Sequence, residues 1–166
     1  MDIVVNDTNI FIDLISIDLL DSFFKLKFKV HTIDFVIEEL NEEQKNILRK
    51  YNFVKKECTE EEILKVMNEM ANHSGLSLTD CSVWNYAREN NFTLLTGDKK
   101  LRNIAIESGV NVCGILFLFD EMVAQGIINV NVAIDKLTEL YRNNTRLPKK
   151  EIDKRLELWN FFIPLE

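Results

Sequence analysis

The chain is predicted to be an α/β protein, a three-layer α/β/α fold on a parallel sheet of about five strands, with extra C-terminal helices. Two observations carry this. Short apolar runs alternate with helix-patterned segments from the N-terminus to about residue 113. The first run, Ile3-Val4-Val5, is uninterrupted and β-branched, which suits a strand buried on both faces of a parallel sheet. Repeated strand–helix–strand units then imply right-handed crossovers. The 166-residue length and 46% hydrophobic content allow one well-filled core.

Taken in order, Ile3–Val5 is the first strand, followed by helices over 8–15 and 17–24. Val30-His31-Thr32-Ile33 is the second strand, with a helix over 35–40 and a charged amphipathic segment to about Tyr51. Residues 53–58 alternate weakly and read as a third strand. Thr59, with Glu62 three residues on, is a helix-start signature. Ile63, Val66, Met67 and Met70 follow at helical spacing, and Ser74-Gly75 breaks that helix. Thr79 is the N-cap expected for a helix reaching Arg88. Phe92-Thr93-Leu94-Leu95 is the fourth strand. A helix over 99–108 stops at Gly109, where a C-terminal cap favours glycine. Residues 110–113 form a fifth, weaker strand.

From Gly114 the pattern is helical: 115–123, then 130–141 with Val130, Ile134, Leu137 and Tyr141 on one side, then 149–162 opened by Pro148. The expected organisation is a core over 1–113 and a helical extension over 114–166 packed on the same domain. The end of the extension is rich in apolar and aromatic residues: Leu158, Trp159, Phe161, Phe162, Ile163 and Leu165. It either packs back on the chain's own sheet or serves a homodimer or protein-partner contact.

Composition narrows the function classes. No apolar stretch is long enough to span a bilayer, and no basic region precedes a signal-like apolar core, so a cytoplasmic protein without membrane association is expected. Cys58, Cys81 and Cys113 are isolated, and His31 and His73 form no ligand-spaced motif with them. Free thiols are expected rather than a zinc site or disulfide framework. The net charge of −7 argues against a nucleic-acid-coating protein but is compatible with an enzyme that meets nucleic acid through a local patch.

Four acids stand at the ends of these segments: Asp7, Glu39, Asp80 and Asp98. Each has a purely structural alternative. Asp7 and Asp98 suit a helix N-cap or turn, Asp80 complements a helix dipole, and Glu39 suits a solvated helix face. In open parallel sheets, ligands bind at the carboxyl ends of the strands, near the switch in strand order. Asp7 and Asp98 both follow a strand, so the topology allows them to meet. Gathered carboxylates repel one another unless protons or cations neutralise them.

The order of these acids resembles the PIN-domain ribonucleases, in particular the toxins of bacterial toxin–antitoxin pairs. The matching segments are Val4-Val5-Asn6-Asp7-Thr8-Asn9, Val36-Ile37-Glu38-Glu39-Leu40, Leu76-Ser77-Leu78-Thr79-Asp80 and Leu94-Leu95-Thr96-Gly97-Asp98-Lys99-Lys100-Leu101. The resemblance implies a PIN-like fold and a metal-dependent endoribonuclease. It makes Asp7, Glu39, Asp80 and Asp98 the metal-binding and catalytic acids, with Mg²⁺ or Mn²⁺ as cofactor, RNA as substrate and an antitoxin as partner. The leucine after Glu39 selects it over Glu38. Thr8, Asn9 and Thr96 are expected to support the acids. Lys99, Lys100 and Arg102 are candidates for holding substrate phosphates, or else form a solvated helix face.

Two rival readings stand beside it. A haloacid-dehalogenase-like phosphatase also places an acid after its first strand, but requires a second Asp where this chain has Asn9. A non-catalytic PIN-like interaction module would keep the fold without the chemistry. A P-loop is unsupported, since Thr96-Gly97-Asp98-Lys99-Lys100 lacks the longer glycine-rich loop.

Overall fold

A computed structural model describes residues 2–5 and 8–161. The sheet has five parallel strands in the order β3-β2-β1-β4-β5. They are β1 (Asp2–Val5), β2 (Lys29–Ile33), β3 (Val54–Lys56), β4 (Thr93–Leu95) and β5 (Val112–Cys113). The architecture is the expected three-layer α/β/α class with further C-terminal helices. Central β1 pairs with β2 on one side (Ile3 opposite Val30) and β4 on the other (Ile3 opposite Thr93). Ile3, Ile33, Leu94 and Leu95 are fully buried, as strands covered on both faces require. The edge strand β3 is Val-Lys-Lys with two exposed positions, and such charge on an edge discourages pairing with other chains.

The helices are α1 (Thr8–Ser16), α2 (Leu20–Phe24), α3 (Asp34–Glu38), α4 (Glu42–Leu48), α5 (Glu60–Met70), α6 (Leu78–Asn90), α7 (Lys99–Glu107), α8 (Ile115–Ala124), α9 (Val130–Asn143) and α10 (Lys149–Phe161). The chain divides into two compact units. One comprises Met1–Phe11 and Lys27–Ile115, the other Ile12–Leu26 and Leu116–Glu166.

The first unit contains the sheet. Helix α6 packs on β1, β2 and β4 and against α5 and α7. Its run Cys81-Ser82-Val83-Trp84-Asn85 and Ala87 are buried, more than one amphipathic stripe would bury. Asn85 of that run and Arg88, three residues on, bind Glu69 of α5, and Arg88 lies over the Trp84 ring at 4.8 Å. Ser82 Oγ has no hydrogen-bond partner among the described residues. On β2, buried His31 is held between Asp2 (3.1 Å) and the Tyr86 hydroxyl (2.9 Å), so it is a satisfied core histidine. Cys58, Cys81 and Cys113 are free. Burial pushes their thiols up, to about 12, 11 and 12 respectively, which makes them poor nucleophiles.

In the second unit, Arg155 of α10 grips the Asp120 carboxylate through Nε (2.9 and 3.1 Å) and Nη2 (2.6 Å). The Trp159 ring lies 6.5 Å from Phe119 of α8 and is buried. The partner seen for Trp159 is thus a helix of its own unit. Phe161 is exposed, and Phe162, Ile163 and Leu165 of the same apolar end lie outside the described residues.

Several boundaries differ from the sequence reading. The helix expected from Ile17 starts at Leu20, because Asp18 turns to a φ of 57° and closes α1 first. The cap of α6 is Ser77, and Thr79 lies inside the helix. Helix α3 ends at Glu38, so Glu39 sits at its C-cap instead of late in the helix. The Thr59–Glu62 capping box and the positive φ of Gly109 follow the expectation. Gly97 is not one of the left-handed glycines, which are Gly75, Gly109 and Gly126.

Candidate functional site

The strand order reverses between β1 and β4, and a ligand cleft is expected at the carboxyl end of such a pair. A cleft of about 200 Å³ is lined by Thr8, Asn9, Glu39, Ser77, Thr79, Asp80 and Asp98. All seven belong to the first unit. Three of the four acids singled out from the sequence therefore share one cleft. The fourth, Asp7, lies outside the described residues.

Each acid is fixed by a local device. Thr8 opens α1, is buried to 8% exposure, and donates its hydroxyl to Glu39 Oε2 at 2.5 Å across 31 residues of sequence. Glu39 is exposed at the end of α3, and buried Leu40 anchors the chain directly after it. Glu38 is exposed and does not line the cleft.

Asp80 is the third residue of α6. Its Oδ2 accepts from Ser77 N (2.9 Å) and Ser77 Oγ (2.8 Å), while Ser77 Oγ accepts from Asp80 N (3.0 Å). This reciprocal capping box satisfies two orphan donors and aims the carboxylate from the helix start. Ser77 was missed as the cap, although Ser77-Leu78-Thr79-Asp80 has the capping-box spacing.

Asp98 caps α7, with Oδ1 accepting from Leu101 N at 2.7 Å. Buried Thr96 accepts from Asp98 N at 3.0 Å and does not line the cleft. Thr96 thus shapes the turn that carries the acid.

The three basic candidates divide. Arg102 donates to the Thr96 carbonyl at 3.3 Å and so braces the same turn. Lys100 donates to the carbonyl of Ser74, in the loop before Ser77. Lys99 is exposed and makes no ion pair among the described residues. None of the three lines the cleft.

The donor set of the cleft is all oxygen: three carboxylates, three hydroxyls and an amide. That chemistry suits a hard divalent cation and not a thiophilic one. The bonds from Thr8 and Leu101 engage one oxygen each of Glu39 and Asp98, leaving a second oxygen on each for a cation. Among the described residues, no three His, Cys, Asp or Glu side chains gather tightly enough to hold one ion by themselves. A cation bound there would need bridging water or further ligands.

A PilT N-terminus domain protein from the hyperthermophilic archaeon Sulfolobus solfataricus P2 has a similar structure, with a TM-score of 0.48 and 15% identity, over 74% of this chain and 94% of that one. No curated protein matches the chain. The family model DUF3368, a PIN domain, matches residues 3–160. With nearly its whole length so matched, the chain belongs to the DUF3368 family of PIN domains.

Proposed function

We propose that the chain is a metal-dependent endoribonuclease whose acidic cleft hydrolyses RNA phosphodiesters. The observation that carries this reading is the convergence of Glu39, Asp80 and Asp98 on one cleft in a domain of a nuclease superfamily. Glu39, Asp80, Asp98 and, by the family resemblance, Asp7 would hold Mg²⁺ or Mn²⁺. A bound ion of this kind supplies Lewis-acid polarisation of the phosphate and a water acidic enough to attack near neutral pH.

The chain's own groups supply orientation. Thr8 holds the Glu39 carboxylate by its hydroxyl. Ser77 holds Asp80 through its backbone N–H and hydroxyl. The α7 cap holds Asp98, and Thr96 with Arg102 fixes the turn beneath it. Fixed carboxylates do not have to reorganise when charge develops at the reacting phosphate. Lys99 is the better of the tandem lysines for a flanking phosphate, because the Lys100 ammonium is engaged by Ser74. The role of toxin in a pair with an antitoxin, and a homodimer, rest on the resemblance and on the exposed apolar end around Leu158 and Phe161.

The test is cleavage of labelled single-stranded RNA with Mg²⁺ or Mn²⁺ by the native chain and by Asp98→Asn. A fall of roughly 100-fold or more in the variant, and loss of cleavage in EDTA, is expected. Equal cleavage by both proteins sinks the proposal.

A further inference from the structure

Residues 142–150, Arg-Asn-Asn-Thr-Arg-Leu-Pro-Lys-Lys, carry four cations and no acid, in a chain of net charge −7. They form the end of α9, the turn after it and the start of α10. The turn is built. Asn144 N donates to Leu140 O (2.8 Å), Asn144 Oδ1 accepts from Arg146 N (3.3 Å), and Asn144 Nδ2 donates to Asp13 Oδ2 (3.0 Å). Glu151 N then closes on Pro148 O at 2.9 Å.

Of the four, Lys149 alone is ion-paired among the described residues, like the cations that follow it in α10. Lys149 pairs with Asp153 (2.6 Å), Lys154 with Glu151 (2.7 Å) and Arg155 with Asp120 (2.6 Å). Arg142, Arg146 and Lys150 are exposed and make no ion pair within 4.0 Å among the described residues. Arg142 at the end of α9 complements that helix's dipole. The first turn of α10 carries Glu151, which complements its dipole, but also Lys149 and Lys150, which oppose it. Lys150 thus gains nothing from its own helix dipole and has no ion-pair partner among the described residues.

We propose that the α9–α10 turn binds the phosphate backbone of single-stranded RNA through Arg142, Arg146 and Lys150, independently of base sequence. This rests on the ribonuclease reading above and adds a substrate-holding surface made of other residues than the cleft's. Arginine presents a planar fork to phosphate oxygens. Exposed Asn143 and Thr145 add neutral hydrogen-bonding groups of the kind that reach phosphate and sugar. A membrane surface fits less well, because no large apolar side chain of the turn is exposed for insertion.

The test is the affinity of the full chain for a labelled single-stranded RNA in EDTA, measured against salt concentration. The triple variant Arg142→Gln, Arg146→Gln, Lys150→Gln should lower the slope of log affinity against log salt by about 2, and weaken binding roughly 100-fold near 0.1 M salt. The charge-keeping variant Arg142→Lys, Arg146→Lys, Lys150→Arg should retain the native slope, and so should Lys154→Gln. An unchanged slope in the neutral variant overturns the proposal, as does equally charge-dependent binding to phosphatidylserine vesicles in place of RNA. The two readings fail separately. Divalent-dependent cleavage with an unchanged slope removes the turn alone, and a lowered slope without cleavage by the native chain removes the nuclease alone.

Discussion

Replacing Asp80 by Asn separates the structural work of this residue from its proposed work as a ligand. In the native chain Asp80 Oδ2 accepts from Ser77 N at 2.9 Å and Ser77 Oγ at 2.8 Å. An Asn carbonyl oxygen can accept both, so the capping box of α6 survives. What disappears is one negative charge near a helix N-terminus, worth about 0.3–1 kcal/mol. For a chain of this size about 2–4 °C of melting temperature accompanies each kcal/mol, so the metal-free variant should melt at most about 4 °C below the native chain, and less as repulsion from Glu39 and Asp98 is relieved. Metal is different. At Mn²⁺ held at 100 times the native dissociation constant, binding stabilises the native fold by about 2.7 kcal/mol, or about 5–11 °C. Weakening the site 10- to 100-fold leaves about 1.4 to 0.4 kcal/mol, or about 1–6 °C. Thermal unfolding followed by circular dichroism, with and without Mn²⁺, reads both numbers. A variant whose Mn²⁺ shift equals the native one refutes Asp80 as a ligand. A metal-free loss well beyond 4 °C refutes the survival of the cap.

Glu69 carries a pH-dependent contribution. Burial raises its carboxyl, but the hydrogen bonds from Arg88 and Asn85 win and hold it below the usual glutamate range. A depressed folded pKa stabilises above the unfolded pKa and is lost as pH falls through the folded one. The urea midpoint of the native chain should therefore exceed that of Glu69→Gln by a constant margin at neutral pH, and the margin should shrink as pH drops below the ordinary carboxylate range; a margin that widens there contradicts the pairing. The thiols of Cys58 and Cys113, pushed up to about 12, should react with iodoacetamide at pH 8 at least about 100-fold more slowly than free cysteine, and faster with each added pH unit. Labelling at the free-cysteine rate, read by mass spectrometry, would contradict that burial.

The strands were legible because their signal is local. Ile3-Val4-Val5, Val30–Ile33 and Phe92–Leu95 are short apolar or β-branched runs, and each lies within a strand of the sheet except Phe92, which directly precedes β4. The caps were legible where one residue had the field to itself, as Thr59 does. At Ser77 and Thr79 two hydroxyls competed, and the choice fell to Asp80, whose spacing matches Ser77. Asp18 delayed the start of α2 from Ile17 to Leu20 against a helical pattern, through a left-handed backbone that carries no strong signal in its neighbours. Lys100 and Arg102 read as phosphate ligands on position alone. Lys100 is engaged by the Ser74 carbonyl of a loop 26 residues away, and Arg102 by the Thr96 carbonyl of the turn before its own helix.

The α/β class, the order of elements and the presence of acids at strand and helix ends are written locally, because propensity, periodicity and capping act within a few residues. Which acids meet is a matter of tertiary structure. Parallel pairing on both sides of β1 turns separations of tens of residues into one cleft edge. It brings the Thr8 hydroxyl to Glu39, sets Asp80 and Asp98 on the starts of two helices facing that cleft, and leaves Glu38 outside it. Such convergence is a property of strand order and register, which no local window of residues encodes.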